Sequence, residues 1–281
     1  MEPTKTPKLT PGLQEKVDAC RQHLQGLDRV VVAFSGGVDS TLLLALAVAA
    51  LGREKVLAVT GVSPIHPRRE LEAARRSAEM LGVELVEAKT RELHDPQFTS
   101  NPPNRCYHCK SGLLTTLKEL AAERGGAAVL TGANADDTGD FRPGLEAGRQ
   151  LGAVRPLLDA GFTKAEIRAV SRAMGLPTWN DPSAACLATR VPYGEEITPE
   201  RLARIERAER YVEDRGFRPC RVRDHGTVAR IEVPPEQMDR LLALREEVCD
   251  ALGKLGYTYV TADLRGFRSG AMNEVLPPER T

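Results

Sequence analysis

Ser35-Gly36-Gly37-Val38-Asp39-Ser40 is the stretch of this chain best suited to hold a phosphate. It follows an apolar run, Val30 to Phe34, that reads as a buried strand. It precedes another, Thr41 to Leu51, long enough for a buried helix. The glycines therefore fall at a strand-to-helix turn. Such a turn presents backbone N–H groups at the helix start, with the positive end of the helix dipole behind them. Gly36 and Gly37 let a phosphate approach the backbone, while Ser35 and Ser40 add hydroxyl donors. Asp39 would repel a bare phosphate, so its presence implies a bridging Mg²⁺. No Gly-Lys-Ser/Thr follows, which excludes a Walker A loop.

A second polar stretch, Leu130-Thr131-Gly132-Ala133-Asn134-Ala135-Asp136-Asp137, closes a later apolar run. Gly132 admits a nucleotide, and Asn134, Asp136 and Asp137 can position ribose, metal or pyrophosphate. Alone the stretch reads equally as a polar turn after a strand. Beside the first loop it reads as part of the same site. Thiol chemistry is concentrated in Arg105-Cys106-Tyr107-His108-Cys109-Lys110, with Cys186 far downstream. A Cys-x-x-Cys pair can bind zinc, bind an iron–sulfur cluster or shuttle a disulfide. Structural zinc needs four ligands, and His108 or His225 can complete a Cys₃His set. Three thiolates without a fourth suit a [4Fe–4S] cluster with one open iron, able to take up sulfide and hand it on. Direct cysteine chemistry remains open. Cys20 and Cys249 lie on helix stripes and Cys220 lies beside a strand, where packing accounts for each.

These residues need a scaffold. The 281 residues suffice for one large or two ordinary domains. Apolar periodicity predicts a helix over Pro11 to Leu27, with Leu13, Val17, Cys20 and Leu24 on one stripe. Strands follow at Val56 to Thr60, Val83 to Ala88 and Ala127 to Thr131. Helices are predicted within Pro64 to Leu81, starting near Pro67 and stopped by Gly82, and over Thr163 to Met174, stopped by Gly175. This alternation predicts an α/β fold with a parallel sheet, helices on both faces and ligands at the carboxyl ends of the strands. Arg91 to Tyr107 and Asn180 to Thr198 read as long irregular loops. Beyond Thr198 a smaller α/β unit is expected. It comprises a charged helix capped by Thr198, two short strands within Arg221 to Val233, one helix from Pro235 to Leu255 and a last strand at Tyr257 to Leu264. On this reading residues 1–195 form the larger domain and residues 196–281 the smaller. Arg201, Arg204, Arg207 and Arg210 form a stripe that reads as a solvated or subunit-contact face. Lys plus Arg equals Asp plus Glu at 39 each, so no global field favours nucleic acid or an acidic membrane. Met1 to Pro11 lacks the apolar core of a signal peptide, and Leu42 to Leu51 is too short to span a bilayer. A cytoplasmic protein is expected.

Ser-Gly-Gly-x-Asp-Ser resembles the pyrophosphate loop (PP-loop) of the ATP pyrophosphatases, which cleave ATP between its α- and β-phosphates and adenylate a substrate oxygen. More specific stretches follow: Asp140-Phe141-Arg142-Pro143-Gly144-Leu145, Arg190-Val191-Pro192-Tyr193-Gly194, Arg221-Val222-Arg223, Ala229-Arg230-Ile231-Glu232 and Gly266-Phe267-Arg268-Ser269-Gly270. With the loop, they make the chain similar to the LarE family of ATP-dependent sulfur transferases, from near the N-terminus to about Asn273. Those enzymes act in nickel-pincer nucleotide biosynthesis, in the maturation of lactate racemase. The resemblance implies ATP and Mg²⁺ at Ser35, Gly36, Gly37, Asp39, Ser40, Gly132, Asn134 and Asp137. It implies adenylation of a carboxylate of pyridinium-3,5-biscarboxylic acid mononucleotide, and displacement of AMP by sulfur from a sulfide source. It also implies a homo-oligomer. Arg190, Arg221, Arg223, Arg268, Glu209 and Glu232 match positions near the substrate, whose phosphate and two carboxylates suit arginine forks. Some members sacrifice a cysteine sulfur, at the position that Ala185 holds here, and lack the Cys-x-x-Cys. Others carry a three-cysteine [4Fe–4S] cluster. Cys106, Cys109 and Cys186 match the second pattern, with Asp39 and Cys186 as the catalytic candidates. Sacrificial donation from Cys186, a tRNA thiolase of the same superfamily, an ammonia-using ligase and a nucleotide sensor are the competing readings. The balanced charge argues against the thiolase, and the Cys-x-x-Cys has no task in the ligase.

Overall fold

A computed structural model describes residues 9–139, 143–182, 185–268 and 270–277. Asp140–Arg142 of one family stretch, Ser183, Ala184 and Ser269 lie outside the described residues. In chain order the elements are α1 (Pro11–Gln25), β1 (Val30–Ala33), α2 (Val38–Leu51), β2 (Val56–Val62), α3 (Arg68–Leu81), β3 (Glu84–Lys89), α4 (Pro96–Thr99), α5 (Arg105–Glu123), β4 (Ala128–Leu130), α6 (Pro143–Gln150), α7 (Pro156–Asp159), α8 (Lys164–Ala173), α9 (Pro199–Asp214), β5 (Arg221–His225), β6 (Val228–Glu232), α10 (Met238–Ala243), α11 (Arg245–Lys254) and β7 (Tyr259–Ala262). No described helix is long and apolar enough to cross a membrane.

The chain folds as two compact units. The first gathers the described residues of Met1–Ser63, Arg68–Arg91 and Cys106–Ala184. Its sheet is parallel, in the order β3-β2-β1-β4. The period of two along β1 divides its core in two. Val30 and Val32 face α1, α2 and α8 through Val17, Cys20, Leu24, Leu42, Leu46, Ile167 and Val170. Val31 and Ala33 face α5 through Leu114, Leu117 and Ala121. Helices thus cover both faces, as expected of an α/β fold of PP-loop type. α2 is buried almost all round, consistent with its unbroken apolar run.

The second unit gathers Pro64–Pro67, Glu92–Arg105 and the described residues of Ala185–Thr281. It starts ahead of the expected junction at 195/196, because backbone bonds tie the intervening stretch to upstream segments. Leu187 N–H donates to Ile65 O (2.7 Å), Gly194 N–H to Asn101 O (2.9 Å) and Ile197 N–H to Thr99 O (2.8 Å). Its sheet, β5-β6-β7, is antiparallel between β5 and β6 and parallel between β6 and β7. One face is apolar: Val222, Ala229 and Ile231 pack with Ala208 and Val212 of α9 and Val248 and Leu252 of α11.

Several elements differ from expectation. The Arg91–Tyr107 stretch is not irregular throughout. It holds a 3₁₀ turn at Glu92–His94 and the short helix α4, and α5 has already begun at Arg105, so Cys106 and Cys109 lie on a helix. Its prolines sit ahead of α5 rather than inside it. The single helix expected over Pro235–Leu255 is two, α10 and α11, which meet at Leu244. α11 buries Val248 and Leu252 and leaves Cys249 exposed, so that thiol is not a packing residue, whereas Cys20 and Cys220 are buried.

Candidate active site

In the first unit, β1 and β4 are parallel neighbours, so the loops leaving their carboxyl ends lie side by side. The first loop is Ser35–Gly37, with Gly37 at the N-cap of α2. Gly36 has φ +74°, and a Cβ there would come within 2.8 Å of the Ala74 backbone. Glycine is therefore required by the close passage of α3 as well as by the turn. Ser40 Oγ donates to Gly37 O (3.1 Å), receives the Ser35 N–H (3.3 Å) and lies 3.1 Å from Ser35 Oγ. The two serines thus set the loop that leaves the first N–H groups of α2 unpaired within the helix.

The second loop is Thr131–Asn134. A Cβ on Gly132 would meet Ser40 N at 3.1 Å, so this glycine seats one loop on the other. Asn134 Nδ2 reaches Asp39 Oδ2 (3.5 Å), its Oδ1 accepts the Asp136 N–H (3.0 Å), and its own N–H donates to Asp137 Oδ2 (3.0 Å). Asn134 and Asp137 are buried and brace the loop from within. Asp136 accepts the Lys164 N–H (2.8 Å) at the start of α8, where a carboxylate complements the helix dipole.

Lys164 is the residue that motif reading missed. Its Nζ donates to both oxygens of Asp39, at 2.7 and 2.6 Å. α8 is fixed by a complete capping box, Thr163 with Glu166, which places Lys164 in the first helical position. A cation there runs against the helix dipole, and that was the available signal. Burial pushes the Asp39 carboxyl above its ordinary range, against the hydrogen bond and charge of Lys164, which pull it down. The donor chemistry fits Mg²⁺. Asp39 already faces one cation, and Mg²⁺ usually takes only one or two protein carboxylates beside phosphate oxygens and water.

The second unit carries the remaining candidates except Cys106 and Cys109. A 3₁₀ turn at Leu187–Arg190 follows Cys186. Arg190 is almost wholly buried and clamps this stretch. Its Nη1 donates to Ala185 O (2.6 Å), Cys186 O (2.9 Å) and Thr189 Oγ1 (2.9 Å), while Nε and Nη2 fork onto Glu209 at 2.8 and 2.9 Å. Glu209 also accepts the Val222 N–H (3.0 Å). Burial would raise its carboxyl, but the Arg190 charge and hydrogen bonds outweigh that and hold it below the ordinary range. Arg221 and Arg223 project from the β5 face opposite the apolar core, following the strand period. Arg223 forks onto buried Glu232 at 2.9 and 2.8 Å and donates to Thr189 O (2.8 Å). Arg221 donates to Cys220 O (2.7 Å) and stacks 5.2 Å from the Phe267 ring. Burial and then the Arg190 charge push its pKa down to about 10, so it stays charged at neutral pH. Arg268 pairs with Glu274 at 3.0 and 3.3 Å. Thus the residues expected as separate substrate contacts largely pair with one another: Arg190 with Glu209, and Arg223 with Glu232.

The Arg190–Glu209 pair has a measurable consequence. Glu209→Ala strands a buried guanidinium and is expected to cost roughly 3–5 kcal/mol in urea unfolding. The double replacement Arg190→Met with Glu209→Leu should recover most of that loss. The folded carboxyl lies below its unfolded value. The pair's contribution is therefore complete above the ordinary carboxylate range and is lost only as pH falls through the depressed value.

One further expectation changes. Arg201 and Arg204 are not solvated. Both bind the buried Asp224 carboxylate, at 2.9 and 2.6 Å, and only Arg207 and Arg210 of that stripe are exposed. Cys106 is exposed and Cys109 half-buried, one turn apart on α5 in the first unit, while half-buried Cys186 belongs to the second. None of the six cysteines is joined in a disulfide. Among the described residues no group of three or more His, Cys, Asp or Glu is gathered to hold a metal ion.

The NAD synthase family model matches residues 9–101, which span the PP-loop and the first three strands. An uncharacterized protein of Synechocystis is 43% identical over 94% of this chain and 99% of its own. The pyridinium-3,5-bisthiocarboxylic acid mononucleotide synthase of Lactiplantibacillus plantarum is 40% identical over 90% of this chain and 92% of its own. An NH₃-dependent NAD⁺ synthetase of Pelodictyon phaeoclathratiforme is 28% identical over 54% of this chain and 55% of its own. The synthase of L. plantarum is matched through both units, well beyond the PP-loop segment that the NAD synthase model covers, and the chain belongs to the LarE family.

Proposed function

We propose that this protein is an ATP-dependent sulfur transferase of the cytoplasm that forms AMP and pyrophosphate and acts in nickel-pincer nucleotide biosynthesis. It adenylates a carboxylate of pyridinium-3,5-biscarboxylic acid mononucleotide and converts it to a thiocarboxylate. The observation that carries the reading is the braced PP-loop, with Asp39 held on Lys164 beside the start of α2. The substrate carboxylate oxygen attacks the α-phosphorus of ATP. The bond from that phosphorus to the bridging oxygen breaks, and pyrophosphate leaves. A sulfur nucleophile then attacks the acyl carbon, and AMP departs with the oxygen. The N–H groups of the first turn of α2 bind phosphate oxygens. Asp39 and Ser40 would hold Mg²⁺, which neutralises charge on the departing pyrophosphate. Lys164, set free from Asp39, takes a phosphate oxygen. Arg221 and Arg223 meet the anionic groups of the mononucleotide.

For sulfur, the donor set of three thiols outside any disulfide, one exposed and two half-buried, suits a [4Fe–4S] cluster held by Cys106, Cys109 and Cys186. Such a cluster would supply an open iron for sulfide.

Arg221 gives the test. Its replacement leaves the Arg190–Glu209 and Arg223–Glu232 forks in place. Arg221→Met should therefore raise the mononucleotide KM by ~10-fold or more and leave the ATP KM unchanged. Steady-state pyrophosphate release measures both. An unchanged mononucleotide KM removes Arg221 from the site.

A further inference from the structure

Arg105 is the anomaly of the second unit. It is only 2% exposed, among the largest fully buried side chains, and among the described residues no carboxylate pairs with it. Its Nε and Nη1 find no hydrogen-bond acceptor there. Buried cations are normally paired and fully hydrogen-bonded, because desolvation is costly. The side-chain contacts that the guanidinium does make are soft. Nη2 donates to Met272 Sδ at 3.3 Å, and the Tyr193 ring lies 4.6 Å away in a cation–π arrangement. A thioether is a weak acceptor. Moreover, Nη2 is the nitrogen common to both two-pronged edges of a guanidinium, one shared with Nε and one with Nη1. Met272 sits where a bidentate oxyanion would bind.

The covering segment is a short 3₁₀ turn, Ala271–Val275, entered through Gly270 at φ +77°. Tyr193 Oη pins it through Asn273 Oδ1 at 3.0 Å. The same turn supplies Glu274, which forks onto Arg268 and lies 3.6 Å from Arg265. One turn therefore meets three arginines, Arg105 with a sulfur and Arg268 and Arg265 with a carboxylate.

We propose that Arg105 is an anion-binding residue of the mononucleotide pocket, and that the 271–275 turn covers it with Met272 and Glu274 where oxygens of a substrate carboxylate or phosphate go. The identity of the anion rests on the sulfur-transferase reading; the anion site itself does not. When the substrate enters, the turn lifts, Arg105 exchanges the thioether for oxygen, and Arg268 exchanges Glu274 for the ligand.

The test is calorimetric binding to the full chain with two probes, the mononucleotide and inorganic phosphate, together with thermal unfolding. Arg105→Met matches the length of the side chain and removes an unpaired charge. It should weaken mononucleotide binding tenfold or more and leave the melting temperature equal to or above that of the unmodified protein. Met272→Ala and Glu274→Gln should each tighten mononucleotide binding threefold or more. Mononucleotide binding by Arg105→Met equal to the unmodified protein's, or a melting temperature lowered by several degrees, overturns the proposal, since the second marks Arg105 as a structural cation–π partner. Weaker binding in both turn variants overturns the covering role. If the unmodified protein ignores the mononucleotide yet binds phosphate through Arg105, the anion site stands and the substrate reading falls. If Arg105→Met binds phosphate normally in that case, both fall.

Discussion

Asp39→Ala is expected to abolish pyrophosphate release, by roughly a hundredfold or more, while the chain stays folded. The two halves of this expectation come from different parts of the geometry. On the proposed mechanism, activity depends on Asp39, the side-chain carboxylate at the first turn of α2, which would hold Mg²⁺. Folding does not, because Asp39 packs no apolar core and its partner Lys164 is about a third exposed and can be solvated when released. The pH profile adds a check. Burial raises the Asp39 carboxyl above its ordinary range. The acid limb of pyrophosphate release should therefore lie above that range and disappear in the residual activity of Asp39→Asn. The stability sign runs the other way: a carboxyl whose folded pKa exceeds its unfolded one disfavours folding while ionised, and that cost is relieved as pH falls through the folded value. Asp39→Asn should thus leave stability at neutral pH unchanged or slightly raised, measured by urea unfolding. Release at the unmodified rate from Asp39→Ala would remove this loop from catalysis.

The three thiols allow an equally large expected effect. Replacing any one of Cys106, Cys109 and Cys186 by alanine should eliminate sulfur transfer and iron binding but preserve adenylation. Anaerobic purification followed by iron and acid-labile sulfide analysis reads the first loss, and pyrophosphate release reads what is kept. Sacrificial donation predicts a different pattern. Cys186 alone would be essential, product would stop at one sulfur per chain, and mass spectrometry after turnover would show dehydroalanine at position 186. Stability gives a control common to both routes. Arg190 fixes this stretch through the carbonyls of Ala185 and Cys186, which an alanine at 186 keeps. Cys186→Ala should therefore unfold no more readily than the unmodified protein, and any lost transfer is then chemical rather than structural.

Much of the scaffold was legible because its signals are local. An apolar strand, two glycines and an apolar helix in succession admit few alternatives, and the loop they predicted lies at the sheet's carboxyl edge. The Thr198 cap was equally readable, since capping depends on residues within one turn. The cysteine helix was not: Pro96, Pro102 and Pro103 crowd the stretch before it, and composition alone does not show that they precede α5 rather than interrupt it. The break at Leu244 was hidden because the apolar period runs straight through it. Candidate charges were identifiable, but their pairing was not. Whether an arginine serves a ligand or a glutamate depends on the strand register and helix packing that bring Glu232 opposite Arg221 and Glu209 beneath Arg190.

The grip of Lys164 on Asp39 makes the PP-loop electrically complete before any nucleotide arrives. A lone divalent ion approaching Asp39 meets an ammonium already in place and must expel it with nothing to receive it. Nucleotide and metal arriving together offer a trade: the carboxylate passes from ammonium to metal, the ammonium passes from carboxylate to phosphate, and no charge is left bare at any stage. On the proposed mechanism such a loop should respond to the metal–nucleotide pair rather than to free Mg²⁺. The order of addition would then be set by a single contact between the starts of two helices.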